Sequence, residues 1–168
     1  VLDETLADDG LPEQCQNLWE NMSGRFTHTA ATYLTAYATV ATAPVDDGLR
    51  SHAHEQADTV FEAFDRLWSK QREAYGIRLN NSGKLDDRID SGTFAVVDAM
   101  IAYDDLTEAD LPKETVDRLT DHVQSLFDAL YREPAESDAA GLARFEGDTW
   151  RSEGQHGEKI WSVSTAWG

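Results

Sequence analysis

The chain has 168 residues, enough for one compact domain with a buried core. Its 14 basic and 32 acidic residues give a formal charge of −18, and the basic residues are scattered among aspartates, which argues against the clustered phosphate contacts of nucleic-acid binding and against anionic membrane surfaces. The single cysteine, Cys15, excludes an internal disulfide and a Cys-based metal cluster, and no apolar run approaches the roughly 18 residues of a membrane-spanning helix.

Residues 1–26 read as irregular, with turn chemistry at Asp8-Asp9-Gly10 and Leu11-Pro12. From Thr27 the pattern turns helical. Ala30, Ala31, Leu34, Tyr37, Ala38 and Ala41 recur at spacings of three and four until Ala43-Pro44 stops the run. Small residues on this stripe allow close approach of a neighbouring helix. A second helix is predicted over 46–74, with Asp46 and Asp47 favourable at its N-terminus. Its apolar face is Leu49, Ala53, Ala57, Val60, Phe61, Phe64, Leu67 and Trp68, and Gly76 ends it.

Residues 77–89 read as extended or looped around the turn Asn80-Asn81-Ser82-Gly83. Asp90-Ser91-Gly92 forms the N-cap of a third helix carrying Phe94, Val97, Met100 and Ile101. Pro112 opens a fourth, with Val116, Leu119, Val123, Leu126, Phe127 and Leu130 on its face. Residues 134–158 read as a loop, and a last helix is predicted from near Glu158. Helices in hairpin order, with the unusual aromatic and charged clusters in long loops, predict an all-α fold with a loop-built site at one end.

The acidic balance also bears on the setting. Self-repulsion of this size destabilises a compact state in dilute buffer, and halophilic proteins use it to stay soluble in strong salt. Salt adaptation, and with it the cytoplasm of a halophile, is the expectation. An ordinary solvated acidic surface is the alternative.

Three segments carry candidate chemistry. In Leu18-Trp19-Glu20, one carboxyl stands beside a large aromatic ring at the mouth of a helix. An apolar ring favours the neutral carboxyl, which can serve as a general acid for glycoside cleavage. Spacing alone favours the other reading, a surface glutamate after a core tryptophan. In the second segment, Arg144 and Asp148 read either as an exposed loop ion pair or as groups that orient sugar hydroxyls. In the third, Trp161 and Trp167, with Trp150 nearby, offer indole faces that pack on a pyranose or into a core. His52 and His54 fall on different faces of a helix, so no metal site is expected there. His28, His122 and His156 lack partners in sequence. No Gly-rich phosphate loop or nucleophile elbow occurs, and no cofactor is expected.

In order and separation, these segments resemble glycoside hydrolase family 15, the glucoamylases and glucodextranases. Leu18-Trp19-Glu20 with Gly24 and Phe26-Thr27-His28-Thr29-Ala30-Ala31 is similar to the general-acid segment. Arg144-Phe145-Glu146-Gly147-Asp148-Thr149-Trp150 resembles an Arg-Tyr-x-x-Asp-Thr-Tyr segment, and the stretch from Trp161 to Trp167 resembles the helix that follows. Asp90-Ser91-Gly92-Thr93-Phe94 sits at the start of the intervening helix.

The resemblance implies an α/α toroid of six helical hairpins, here a partial barrel, with residues 1–168 as one piece of a single catalytic domain. It implies hydrolysis of terminal α-glucosidic bonds of malto-oligosaccharides or related glucans with inversion. Glu20 would be the general acid, with Leu18, Trp19, Asn21, Arg144, Asp148 and Trp161 around the sugar. Inversion needs a second carboxylate roughly 6.5–9.5 Å away. The family's base segment would lie beyond Gly168, and Leu11-Pro12-Glu13-Gln14 imitates it only in the wrong chain order. Asn17 and Asn21 stand where many members have acids. The chain alone is therefore expected to be inactive and, as a partial barrel, to self-associate through open helix faces. A non-catalytic carbohydrate-binding or regulatory module, or a trehalase-like relative, are the alternatives.

Overall fold

A computed structural model describes residues 2–107, 110–133, 139–150 and 159–168. Five α-helices are present among them: α1 (Thr27–Thr42), α2 (Asp47–Ala63), α3 (Ala95–Leu106), α4 (Lys113–Leu130) and α5 (Ser162–Trp167). α1 is central. Its small-residue stripe of Ala30, Ala31, Ala38 and Ala41 is buried with Leu34 and Tyr37, so α2 and α3 both pack closely against it. α2 presents Ala53, Ala57 and Val60 to the same core, and α3 presents Val96, Ala99 and Met100. Asp46 caps α2, its carboxylate accepting from the N–H groups of Gly48 (2.9 Å) and Leu49 (3.3 Å). A second, smaller core lies under α4, where Leu126 and Leu130 meet Ala74, Ile89, Leu142 and Ala143.

Short strands connect these helices. β1 (Cys15–Gln16), β2 (Ser23–Phe26), β5 (Arg78–Leu79) and β6 (Leu85–Asp86) form a four-stranded antiparallel sheet in the order β1-β2-β5-β6. β3 (Trp68–Ser69) pairs with β4 (Ala74–Tyr75), and β7 (Tyr131–Arg132) pairs with β8 (Gly141–Leu142). β2 runs directly into α1, and this fixes the loop before it against the helical core.

The expectation of an all-α toroid is corrected by this architecture. The fold is mixed, with 14% of the described residues in strand pairing, all of it antiparallel. The predicted irregular segments 1–26 and 77–89 pair with each other, because backbone groups packed against a core need hydrogen-bond partners. Strands of two to four residues are too short for an alternating pattern to show in sequence. The predicted second helix is also too long. α2 ends at Ala63, a 3₁₀ turn follows over Phe64–Leu67, and β3 and β4 carry the chain back. That reversal brings Tyr75 edge-on to Phe64 (5.7 Å between centroids), Trp68 (5.0 Å) and His122 (5.2 Å). An uninterrupted helix through Ala74 would leave this aromatic corner unmade.

The third and fourth helices lie where expected. A 3₁₀ turn, Ser91–Phe94, precedes α3 and is capped by Asp90, while Pro112 is the N-cap of α4. The predicted helix start at Glu158, His156 and much of the predicted loop over 134–158 lie outside the described residues. Large exposed apolar side chains occur singly on the helices, as Leu49 on α2, Ile101 on α3 and Val116 on α4. Among the described residues no helix is long and apolar enough to cross a membrane.

Candidate functional site

The connection from β1 to β2 builds the first part of the site. Asn17 is buried and anchors the loop. Its N–H donates to the Met22 carbonyl (3.0 Å), and its Oδ1 accepts from the N–H groups of Asn21 (2.9 Å) and Met22 (3.1 Å). Its Nδ2 also donates to Asn21 Oδ1 (2.8 Å), a bond that a carboxylate at position 17 could not donate. Glu20 turns the tip with φ 55°, in the left-handed region unusual for a non-glycine residue. Leu18 and Glu20 consequently face outward and Trp19 faces inward.

Trp19 is tied across the fold. Its Nε1–H donates to both carboxylate oxygens of Asp90, at 3.0 and 3.1 Å. Asp90 also accepts from the Gly92 N–H at 2.7 Å. Burial is the largest influence on this carboxyl and raises its pKa to about 6. The Gly92 and Trp19 hydrogen bonds and the charges of Arg144 and Arg88 oppose that rise.

The 141–150 segment supplies the second part. The Arg144 carbonyl accepts from the Ser91 N–H (2.7 Å), and Phe145 bridges to Asp90. Arg144 donates through Nε and Nη2 to the two oxygens of Asp148 at 2.7 and 2.6 Å, with side chains 5% and 2% exposed. The spacing had allowed an exposed loop pair, but the structure shows a closed, buried bidentate pair. Four rings surround the guanidinium: Trp161 at 4.3 Å, Trp19 and Trp150 at 5.4 Å, and Phe145 at 5.5 Å.

α5 brings in the third part. Trp161 N–H donates to the Leu142 carbonyl (2.9 Å), Thr165 Oγ1 accepts from the Leu142 N–H (3.0 Å), and Ser164 Oγ meets Ser91 Oγ at 2.9 Å. Trp19 then lies 6.4 Å from Trp161 and 6.0 Å from Trp167 between ring centroids, while Trp150 lies 5.2 Å from Trp161. Trp150 and Trp167 keep 44% and 41% of their surface exposed. Trp161 Nε1 is buried without a hydrogen-bond partner among the described residues, an arrangement that native structures seldom leave unexplained.

The structure thus brings Trp19, Arg144, Asp148 and Trp161 together, with Trp150 and Trp167 beside them. Leu18 is 43% exposed at the rim. Asn21 is engaged with Asn17. Glu20 is exposed, and its carboxylate makes no hydrogen bond or ion pair among the described residues. Asp90 was legible only as a helix cap. Its role as the acceptor for Trp19 depends on a partner 71 residues away, which no local pattern announces. Comparison of the chain with protein-family models, with curated proteins and with solved structures finds no match, so the meaning of this cluster rests on its own geometry.

Proposed function

We propose that the tryptophan cluster binds a gluco-oligosaccharide, as the sugar-holding part of a glucoamylase-like glycoside hydrolase with Glu20 at its rim as the general acid. The observation that carries this reading is the pair of exposed indoles, Trp150 and Trp167, set on a rigid cluster around Arg144. Such faces offer large apolar contact at low entropic cost, and Leu18 extends the same rim.

Among the described residues, the carboxylates built into the cluster do not supply a base. Asp90 is buried and held by Trp19 and Gly92, and Asp148 is held by Arg144 and the Trp150 N–H. A base that activates water must reach that water, and neither of these two can, so we read the chain as binding sugar without cleaving it. The same engagement of the carboxylates favours the second reading, a carbohydrate-binding module without catalysis.

Titration with maltotriose, followed by tryptophan fluorescence, checks the binding. A saturable change is expected, with Trp167→Ala weakening it about tenfold by loss of stacking area. No saturable change with maltotriose, maltose, isomaltose or trehalose would reject the sugar reading. Glucose release that Glu20→Gln abolishes would overturn the claim that this chain does not cleave.

A further inference from the structure

A cleft of about 350 Å³ opens beside the tryptophan cluster. It is bounded by His28 at the start of α1, by Gly92, Phe94 and Val97 around the start of α3, by Val123 and Phe127 on α4, and by Trp167 on α5. Its volume lies near the lower end of the roughly 300–1,000 Å³ typical of small-ligand sites. We propose that this cleft is a subsite for one neutral hexopyranose ring, with His28 as the side chain that hydrogen-bonds a ring hydroxyl. The proposal rests on the sugar reading of the neighbouring tryptophans and names where the next ring of the same oligosaccharide sits.

Three observations support it. First, the cleft is continuous with the cluster. Trp167 lines it while its ring lies 6.0 Å from that of Trp19. A Cβ on Gly92 would lie 3.5 Å from Leu18 Cδ2 and 3.6 Å from His28 Cδ2, so this glycine is a thin wall between the loop and the imidazole.

Second, His28 is half-buried, and its ring nitrogens make no hydrogen bond among the described residues. Burial lowers its pKa, so the ring is neutral at pH 7 and offers one donor and one acceptor, the pairing that a hydroxyl can satisfy on both sides.

Third, the remaining lining selects a class of ligand. Phe94 and Phe127 meet edge to face at 5.8 Å and give an apolar wall for the C–H face of a pyranose. Asp98 at the rim is exposed and negative, and the whole chain carries −18. Those charges disfavour phosphorylated or uronic sugars and leave neutral ones.

The test is a maltose titration read by NMR at two places, the His28 imidazole and the tryptophan indoles. Both sets of signals are expected to saturate with one Kd. His28→Ala should weaken binding about tenfold, the worth of one hydrogen bond to a neutral partner. Val123→Phe, which fills the cleft from the half-buried wall that α4 contributes, should block the His28 response while the melting temperature stays unchanged. If the indoles saturate while His28 does not move and both variants bind normally, the subsite is wrong and the sugar reading stands. If neither set of signals responds, both readings fail.

Discussion

At the scale of the residue, the buried charges decide most. Arg144 has lost water and gained four aromatic faces and one bidentate carboxylate, so the pair holds the cluster rigid. Asp90 and His122 are two buried groups whose shifts make stability depend on pH. Burial of Asp90 raises its pKa from 3.8 to about 6. The folded state therefore binds more protons than the unfolded state across that interval, and the contribution of Asp90 is full below pH 3.8 and lost as pH rises through 6. His122 is buried, its Nδ1 accepting from the Tyr75 N–H and its Nε2 meeting the Thr93 carbonyl, and burial lowers its pKa from 6.5 to about 4. Its contribution is full above pH 6.5 and lost as pH falls through 4. The two act in opposite directions, each on the order of 3 kcal/mol. Asp90→Asn removes one of them. Relative to the parent chain, this variant should gain roughly 3 kcal/mol as pH rises from 4 to 7 in urea unfolding. A difference that stays constant with pH would show that Asp90 does not titrate as described.

At the scale of the element, local signals and packing divide the outcome. α1 begins at Thr27 and ends at Thr42 because its alanine stripe and Pro44 say so locally. The stop of α2 at Ala63 has no local signal. It follows from the demand of Phe64, Trp68, Tyr75 and His122 for one shared corner. Gly10 shows the same dependence on context. It has φ +79°, and a Cβ there would lie 2.5 Å from the Thr59 carbonyl oxygen on α2. Gly10→Ala should therefore destabilise the fold by about 2 kcal/mol or more, because strain and a backbone clash add. Chemical unfolding of this variant with an unchanged midpoint would show that the 9–12 segment can shift away from α2 freely.

At the scale of the whole molecule, charge dominates. Exposed local ion pairs such as Lys113–Asp117 contribute little each, while Arg25–Asp9, Arg72–Glu146 and Arg118–Asp65 join distant parts of the chain. They leave a net charge of −18, so self-repulsion opposes the compact state until salt screens it. The melting temperature is expected to rise between low salt and molar KCl. A flat or falling profile, measured by thermal unfolding at several KCl concentrations, would count against salt adaptation.

The helical stripes, the acids at the start of the second helix and the cap at Asp90 were legible in the sequence, because each is written within a few turns of chain, and the acidic balance follows from composition alone. Packing set the rest: the pairing of the connecting segments as strands, the early stop of the second helix and the hold of Asp90 on Trp19. Helical periodicity is a local property, while a two-residue strand, an aromatic corner or a buried carboxylate gains its partner from a distant part of the chain, and only packing brings the two together.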